Sequence, residues 1–183
     1  MKHKSALIVI GEGVEEMEAV APVDLLRRAG LACTVASREP ALTVLGRNGI
    51  TLTADRMLED VTPRLHDALV IPGGPGIAEM RKDARVIDLV RDHRRQDRLV
   101  AAICAAPLVL LDAGVLPGPR YTGHLSVQPE LPAMDVQQDV VVDDNVITSR
   151  GAGTAVSFGL ALVAALCGPD EARAVAHSIH ASL

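Results

Sequence analysis

Apolar residues follow two rhythms along the chain. Ala6–Ile10, Cys33–Ala36, Ala68–Ile71 and Leu99–Ile103 are short unbroken runs rich in Val, Ile and Ala, bounded by turn formers. Runs without alternation mark strands covered on both faces, as in a parallel sheet. Between them, Glu15–Ala29, Ala84–Arg95 and Ala105–Ala113 space their apolar residues as helices do. The first ends at Gly30, a residue suited to the position after a helix C-terminus. Pro22 inside it predicts a kink or local break. Leu42–Leu45 and Ile50–Thr53, joined through Gly46-Arg47-Asn48-Gly49, read as a hairpin. Val140–Val142 and Val146–Thr148, joined through Asp143-Asp144-Asn145, read as another. Ala155–Cys167 reads as a strongly apolar helix, followed by a last helix over Glu171–Ala181. The order of strands and helices predicts one doubly wound α/β domain over residues 1–183. Its mainly parallel sheet is sandwiched by helices and carries small β-hairpin additions.

Composition narrows the classes of function. A chain of 183 residues, 49% of them hydrophobic, builds an ordinary single core and is not a disordered polymer. Lys and Arg number 18 against 23 Asp and Glu, and the only aromatics are Tyr121 and Phe158. Such a chain offers neither a basic footprint nor stacking platforms, so no nucleic-acid partner is expected. The longest apolar runs, Leu99–Leu111 and Ala155–Cys167, fall short of the roughly 20 residues that span a bilayer. Lys2 and Lys4 precede Ala6–Ile10 in the manner of a signal peptide. That run is short, however, and leads into Glu12, Glu15, Glu16 and Glu18 with no small-residue cleavage site. Cys33, Cys104 and Cys167 are odd in number and far apart, forming neither a disulfide framework nor a metal pattern. The expectation is a cytoplasmic protein with reduced thiols, no membrane segment and no metal.

Doubly wound sheets bind ligands beyond the carboxyl ends of their strands, so the residues after each strand carry the interest. After the first come Gly11-Glu12-Gly13-Val14-Glu15-Glu16-Met17-Glu18. Gly11 and Gly13 begin a dinucleotide fingerprint, but Glu16 stands where its third glycine belongs and would repel a pyrophosphate. A nucleotide cofactor is therefore not expected. Complementing a helix dipole accounts for two of the three acids, and one buried at the sheet edge needs another reason. After Ala68–Ile71 comes Pro72-Gly73-Gly74-Pro75-Gly76, either a plain tight turn or a backbone offering N–H groups to an anion. After Leu99–Ile103 comes Cys104, followed by Ala105-Ala106-Pro107. A cysteine at a strand-to-helix elbow is either a thiol activated by the helix N-terminus or a small buried hydrophobe. Cys33, mid-strand, and Cys167, ending an apolar helix, read as buried structural cysteines. His3 is terminal, His66 precedes a strand, and His93 sits among charges that mark an exposed helix face. His177 and His180 have helical spacing for one metal, but two ligands do not make a site.

Four motifs occur in order: Gly13-Val14-Glu15-Glu16-Met17-Glu18, Pro72-Gly73-Gly74-Pro75-Gly76, Ala101-Ala102-Ile103-Cys104-Ala105-Ala106-Pro107 and Thr148-Ser149-Arg150-Gly151-Ala152-Gly153-Thr154. Together they resemble the ThiJ/PfpI superfamily, in the YajL-like branch that contains the human Parkinson-disease protein deglycase. The resemblance runs from Ala6 to the final helix and implies a flavodoxin-like fold and a homodimer. It also implies a nucleophilic Cys104, with Glu18 reaching the sulfur and the backbone N–H groups of Gly74 and Ala105 as oxyanion donors. His124, within Tyr121-Thr122-Gly123-His124, matches a histidine near the cysteine in members with glyoxalase activity. Protease-like members place a histidine directly after the nucleophile; Ala105 stands there in this chain, which argues against a Cys-His dyad. Arg150 faces either the site or a subunit surface, the second being preferred.

A carboxylate beside a thiolate repels it, so Glu18 and Cys104 are expected to share a proton. With Glu18 protonated and donating, the sulfur is expected to be ionised at rest. The implied activity is that of a cofactor-independent glyoxalase III acting on methylglyoxal or glyoxal to give a 2-hydroxy acid, with related deglycase chemistry on early glycation adducts. The alternative is an oxidisable Cys104 serving as a peroxide sensor in a stress-response or chaperone protein. A cysteine amidase or peptidase is the third reading.

Overall fold

The computed structural model describes residues 4–62 and 65–182. The five apolar residues Ala6–Ile10 are fully buried and form most of β1 (Ser5–Ile10), the middle of the sheet. On one side β1 pairs in parallel with β2 (Ala32–Ser37), and β2 pairs with the two-residue strand β5 (Arg56–Met57). On the other side it pairs in parallel with β6 (Ala68–Ile71), which pairs with β7 (Leu99–Ile103). The second predicted hairpin, β8 (Val140–Asp143) and β9 (Val146–Ser149), completes the sheet, β9 running parallel to β7 and β8 antiparallel to β9. The seven strands lie in the order β5-β2-β1-β6-β7-β9-β8, and the mostly parallel sheet with flanking helices is a flavodoxin-like α/β fold.

Alternate residues of β1 feed two cores. Ala6, Ile8 and Ile10 pack with Leu25, Leu26, Phe158 and Leu162, on the side of α1 (Glu16–Arg28) and α6 (Ala155–Cys167). Leu7 and Val9 pack with Leu69, Val86, Val90 and Leu110, under α4 (Ala84–Arg95) and α5 (Pro107–Asp112). Both faces are covered, which explains why the strand sequences do not alternate.

Several expectations change. α1 continues through Pro22 as one helix. The proline removes one helical hydrogen bond, but it is buried where α1 packs on α6, and that packing holds the turn together. A Cβ at Gly159 of α6 would lie 2.5 Å from Leu25 Cδ1 and 3.2 Å from Pro22 Cα, so the close approach requires glycine. The first predicted hairpin, β3 (Thr43–Leu45) and β4 (Thr51–Thr53), forms a separate two-stranded sheet. The short helices α2 (Leu58–Val61) and α3 (Ile77–Met80) carry too few residues to show a period. The last helix, α7, spans Pro169–Ser178 because Pro169 takes the first helical position. His93 is fully buried rather than exposed; α4 turns it inward, and its Nδ1 lies 2.7 Å from the Leu89 carbonyl oxygen. Cys167 is exposed, not buried. Among the described residues, no helix is long and apolar enough to cross a membrane.

Candidate active site

The strand order reverses between β1 and β6, and the segments leaving β1, β6 and β7 converge beyond that point. Cys104 follows β7 with φ of 65°, a left-handed conformation that costs a residue with a Cβ about 1–2 kcal/mol. Its own backbone holds the elbow in place. The Cys104 N–H donates to the Ser149 carbonyl at 2.9 Å, and the Cys104 carbonyl accepts from the His124 N–H at 2.9 Å.

Three groups surround the sulfur. The N–H groups of Gly74 and Ala105 and the Glu18 carboxyl hydrogen-bond it. Glu18, 1% exposed, is held by the Gly73 N–H, which donates to Oε2 at 2.9 Å. Both glycines are dictated by space. A Cβ on Gly73 would sit 2.7 Å from both Cys104 Cβ and Glu18 Oε2. Gly74 has φ of +105°, and a Cβ there would lie 2.4 Å from the Gly13 carbonyl oxygen. The turn after β6 is thus a backbone pressed against the elbow, more than a plain tight turn. α5 begins only at Pro107, so the sulfur meets individual N–H groups rather than the end of the longer helix predicted over Ala105–Ala113.

The three acids that open α1 have three different tasks. Glu15 caps the helix, accepting the Glu18 N–H at 2.9 Å. Glu16 turns towards the β3–β4 hairpin, where its Oε1 accepts the Asn48 N–H and its Oε2 the Asn48 side-chain amide, both at 2.8 Å. Glu18 turns to the cysteine.

Burial raises Glu18 to about 7, although the thiol and the Gly73 N–H pull it down and the nearby Glu15 charge adds to the rise. Burial, then the charge and hydrogen bond of Glu18, push the Cys104 thiol up to about 12, against the two backbone donors. The two groups titrate as a pair holding one proton between these values. The expectation of a sulfur ionised at rest is corrected accordingly. Burial opposes the thiolate, which forms when the shared proton lies on Glu18. Nor is the thiol exposed, Cys104 being 8% accessible.

His124 stands at the mouth, exposed. Its Nδ1 accepts the Ser126 N–H at 3.2 Å and lies 2.8 Å from Ser126 Oγ, so in the neutral ring the proton belongs on Nε2. A Cβ on Gly151 would lie 3.7 Å from His124 Cδ2 and 3.8 Å from Glu18 Oε1, so the ring and the acid flank one gap that a side chain at 151 would fill. His124, Leu125, Arg150 and Gly151 line an open cleft of about 320 Å³. Arg150 lines this cleft beside His124, and its Nη1 lies 3.3 Å from Asp139 Oδ1. The structure thus gathers Cys104, Glu18, Gly74 and Ala105 at one point, with His124 on its rim. Sequence reading missed the parts played by Gly73, Ser149 and Gly151, all within recognised motifs. His177 and His180 are exposed, and the described residues contain no group of three or more His, Cys, Asp or Glu that could hold a metal.

Fold and site define a doubly wound α/β protein with an acid-paired cysteine on a strained elbow. Residues 4–165 match the DJ-1/PfpI family model. Protein dj-1beta of Drosophila melanogaster is 38% identical over 180 residues, covering 96% of each chain. A protein of Caenorhabditis elegans named glutathione-independent glyoxalase DJR-1.2 is 35% identical over 179 residues, covering 94% of each. The crystal structure of Drosophila melanogaster DJ-1beta superposes with a TM-score of 0.96 at 37% identity, over 99% of this chain and 100% of that one. The chain belongs to the DJ-1/PfpI family.

Proposed function

We propose that this protein is a cofactor-independent glyoxalase III that converts methylglyoxal or glyoxal to the 2-hydroxy acid. The carrying observation is a cysteine sulfur that meets two backbone N–H donors and a carboxyl whose proton affinity is tuned near neutrality. Cys104 Sγ adds to the aldehyde carbon, forming the C–S bond while its proton passes to Glu18. The resulting alkoxide lies towards Gly74 and Ala105 N–H and takes that proton from Glu18, completing a hemithioacetal. Glu18, again a carboxylate, removes the hydrogen from the former aldehyde carbon; the proton returns to the neighbouring carbon with His124 assisting on the rim, while the hemithioacetal hydroxyl proton passes to the ketone oxygen. The product is a thioester. Water cleaves its C–S bond, releasing the 2-hydroxy acid and returning the proton to sulfur. Oxidation at one carbon balances reduction at the next, so no external electron carrier enters. Deglycase action on early glycation adducts would use the same groups. The relative named a glutathione-independent glyoxalase supports the reading.

The same environment favours a second reading, a redox sensor in a stress response. The N–H donors and the protonated Glu18 that meet the sulfur would equally hydrogen-bond a sulfinate. Peroxide should then add two oxygens at Cys104 before Cys33 or Cys167 react.

We place this activity in a cytoplasmic homodimer. Met17 and Val20 of α1 and Leu45 and Ile50 of the hairpin are large exposed apolar side chains on elements that Glu16 ties together. Such a patch fits a second copy of the chain. Sedimentation should show a dimer that Met17→Glu weakens.

Lactate formed from methylglyoxal without glutathione tests the chemistry. Cys104→Ser should lose about 10³-fold or more in turnover, and His124→Ala about tenfold. Equal turnover by wild type and Cys104→Ser overturns the enzyme reading; an unaffected His124→Ala removes only the histidine.

A further inference from the structure

Arg81 closes α3, its N–H donating to the Ile77 carbonyl at 3.0 Å, and its guanidinium grips two carboxylates at once. Nε and Nη2 donate to Asp112 Oδ2 and Oδ1 at 2.6 and 2.9 Å, while Nη1 and Nη2 donate to Glu130 Oε1 and Oε2 at 3.0 and 2.7 Å. Each of the three residues ends a short run that begins at the site. From Gly74, the carbonyl accepts the Ile77 N–H at 3.2 Å and α3 leads to Arg81. From Ala105, the carbonyl accepts the Leu108 N–H at 3.1 Å and α5 leads to Asp112, its last residue. From His124, the carbonyl accepts the Val127 N–H at 3.0 Å, and the Val127 carbonyl accepts the Glu130 N–H at 3.1 Å.

We propose that Arg81 is a positioning residue: by joining Asp112 and Glu130 to the end of α3, it fixes the spacing of the Gly74, Ala105 and His124 runs around Cys104. This rests on the reading of Cys104 as the nucleophile. An ordinary surface ion pair adds little to a protein. Here one planar fork, its side chain only 25% exposed, serves two partners bidentately and holds three segments at their far ends. A lysine carries the same charge but cannot span both carboxylates in this way. The runs are short and internally hydrogen-bonded, so slack at the clamp is delivered to the donors around the sulfur. Small misplacement of such groups is costly in rate.

The full-length protein and its Arg81→Lys, Asp112→Asn and Glu130→Gln variants provide the test. Three quantities are read: the pH dependence of Cys104 alkylation by iodoacetamide, located by peptide mass; kcat and KM for methylglyoxal; and the melting temperature. Arg81→Lys should lower kcat about fivefold with KM nearly unchanged and displace the alkylation profile. Asp112→Asn should do both to a lesser degree. Glu130→Gln, which frees only the His124 run, should lower kcat and leave the alkylation profile in place. A lowered melting temperature with wild-type kcat and alkylation profile, measured where every variant is folded, overturns the proposal. The single-arm variants serve the same purpose if Arg81→Lys does not fold. If the wild type does not consume methylglyoxal, the proposed function fails, and the alkylation profiles of Arg81→Lys and Asp112→Asn still decide this inference.

Discussion

Glu16 and Glu18 sit in one turn of α1, both buried, and the protein tunes them in opposite directions. Burial pushes Glu16 up, but its own N–H and those of Asn48 and Ile50, with the Asn48 amide, outweigh it and hold the carboxyl below its usual range. Glu18 has a thiol and a single backbone donor, and burial wins, raising it to about 7. Depth therefore does not decide whether a carboxyl in this turn is charged; the number of donors facing it does. Glu16, fully satisfied, is a tie between helix and hairpin. Glu18, under-supplied, is able to exchange a proton near neutral pH.

Replacing each in turn should expose the contrast. Glu18→Gln keeps the shape but cannot exchange the proton, and lactate formation should fall about 10²–10⁴-fold while the protein stays folded. Comparable loss in Glu16→Gln would erase the distinction. The next effect concerns stability against pH. Because Glu18 titrates above its ordinary 4.5, its protonated form favours the folded state. That contribution is complete below pH 4.5 and is lost as pH rises to about 7. It amounts to about 3 kcal/mol. Denaturant unfolding should show the wild type losing stability relative to Glu18→Gln across that window; parallel curves would refute the raised value. Smaller still, Glu16→Gln should cost about 1–3 kcal/mol through hairpin donors left badly paired, with turnover per folded molecule within a few-fold of wild type.

The central strands β1, β6 and β7 were legible because both faces of each are covered, leaving runs such as Ala68–Ile71 with no polar residue. Cys104 and its turn were legible because strand ends carry function in this architecture and Gly73-Gly74 is an unusual thing to find there. Other features depend on long-range partners. Nothing in Asp92-His93-Arg94-Arg95 announces that only the histidine faces the core. Pro22 looks like a break until Gly159, far along the chain, is seen to lie against it. The expectation of an ionised sulfur rests on the elbow and a protonated Glu18, whereas burial, a tertiary fact, does most to raise the thiol's proton affinity. The Arg81 clamp joins residues from three separate segments, and no local pattern marks it.

Met17 and Glu18 share a peptide bond, yet Met17 is 58% exposed and Glu18 1%. Whatever leans on that methionine from outside is one residue away from the group that handles the proton. The outer skin of the protein and its reactive centre are two sides of the same helical turn at this point. A change chosen to make the surface more soluble at Met17 therefore also tampers with the aim of the acid.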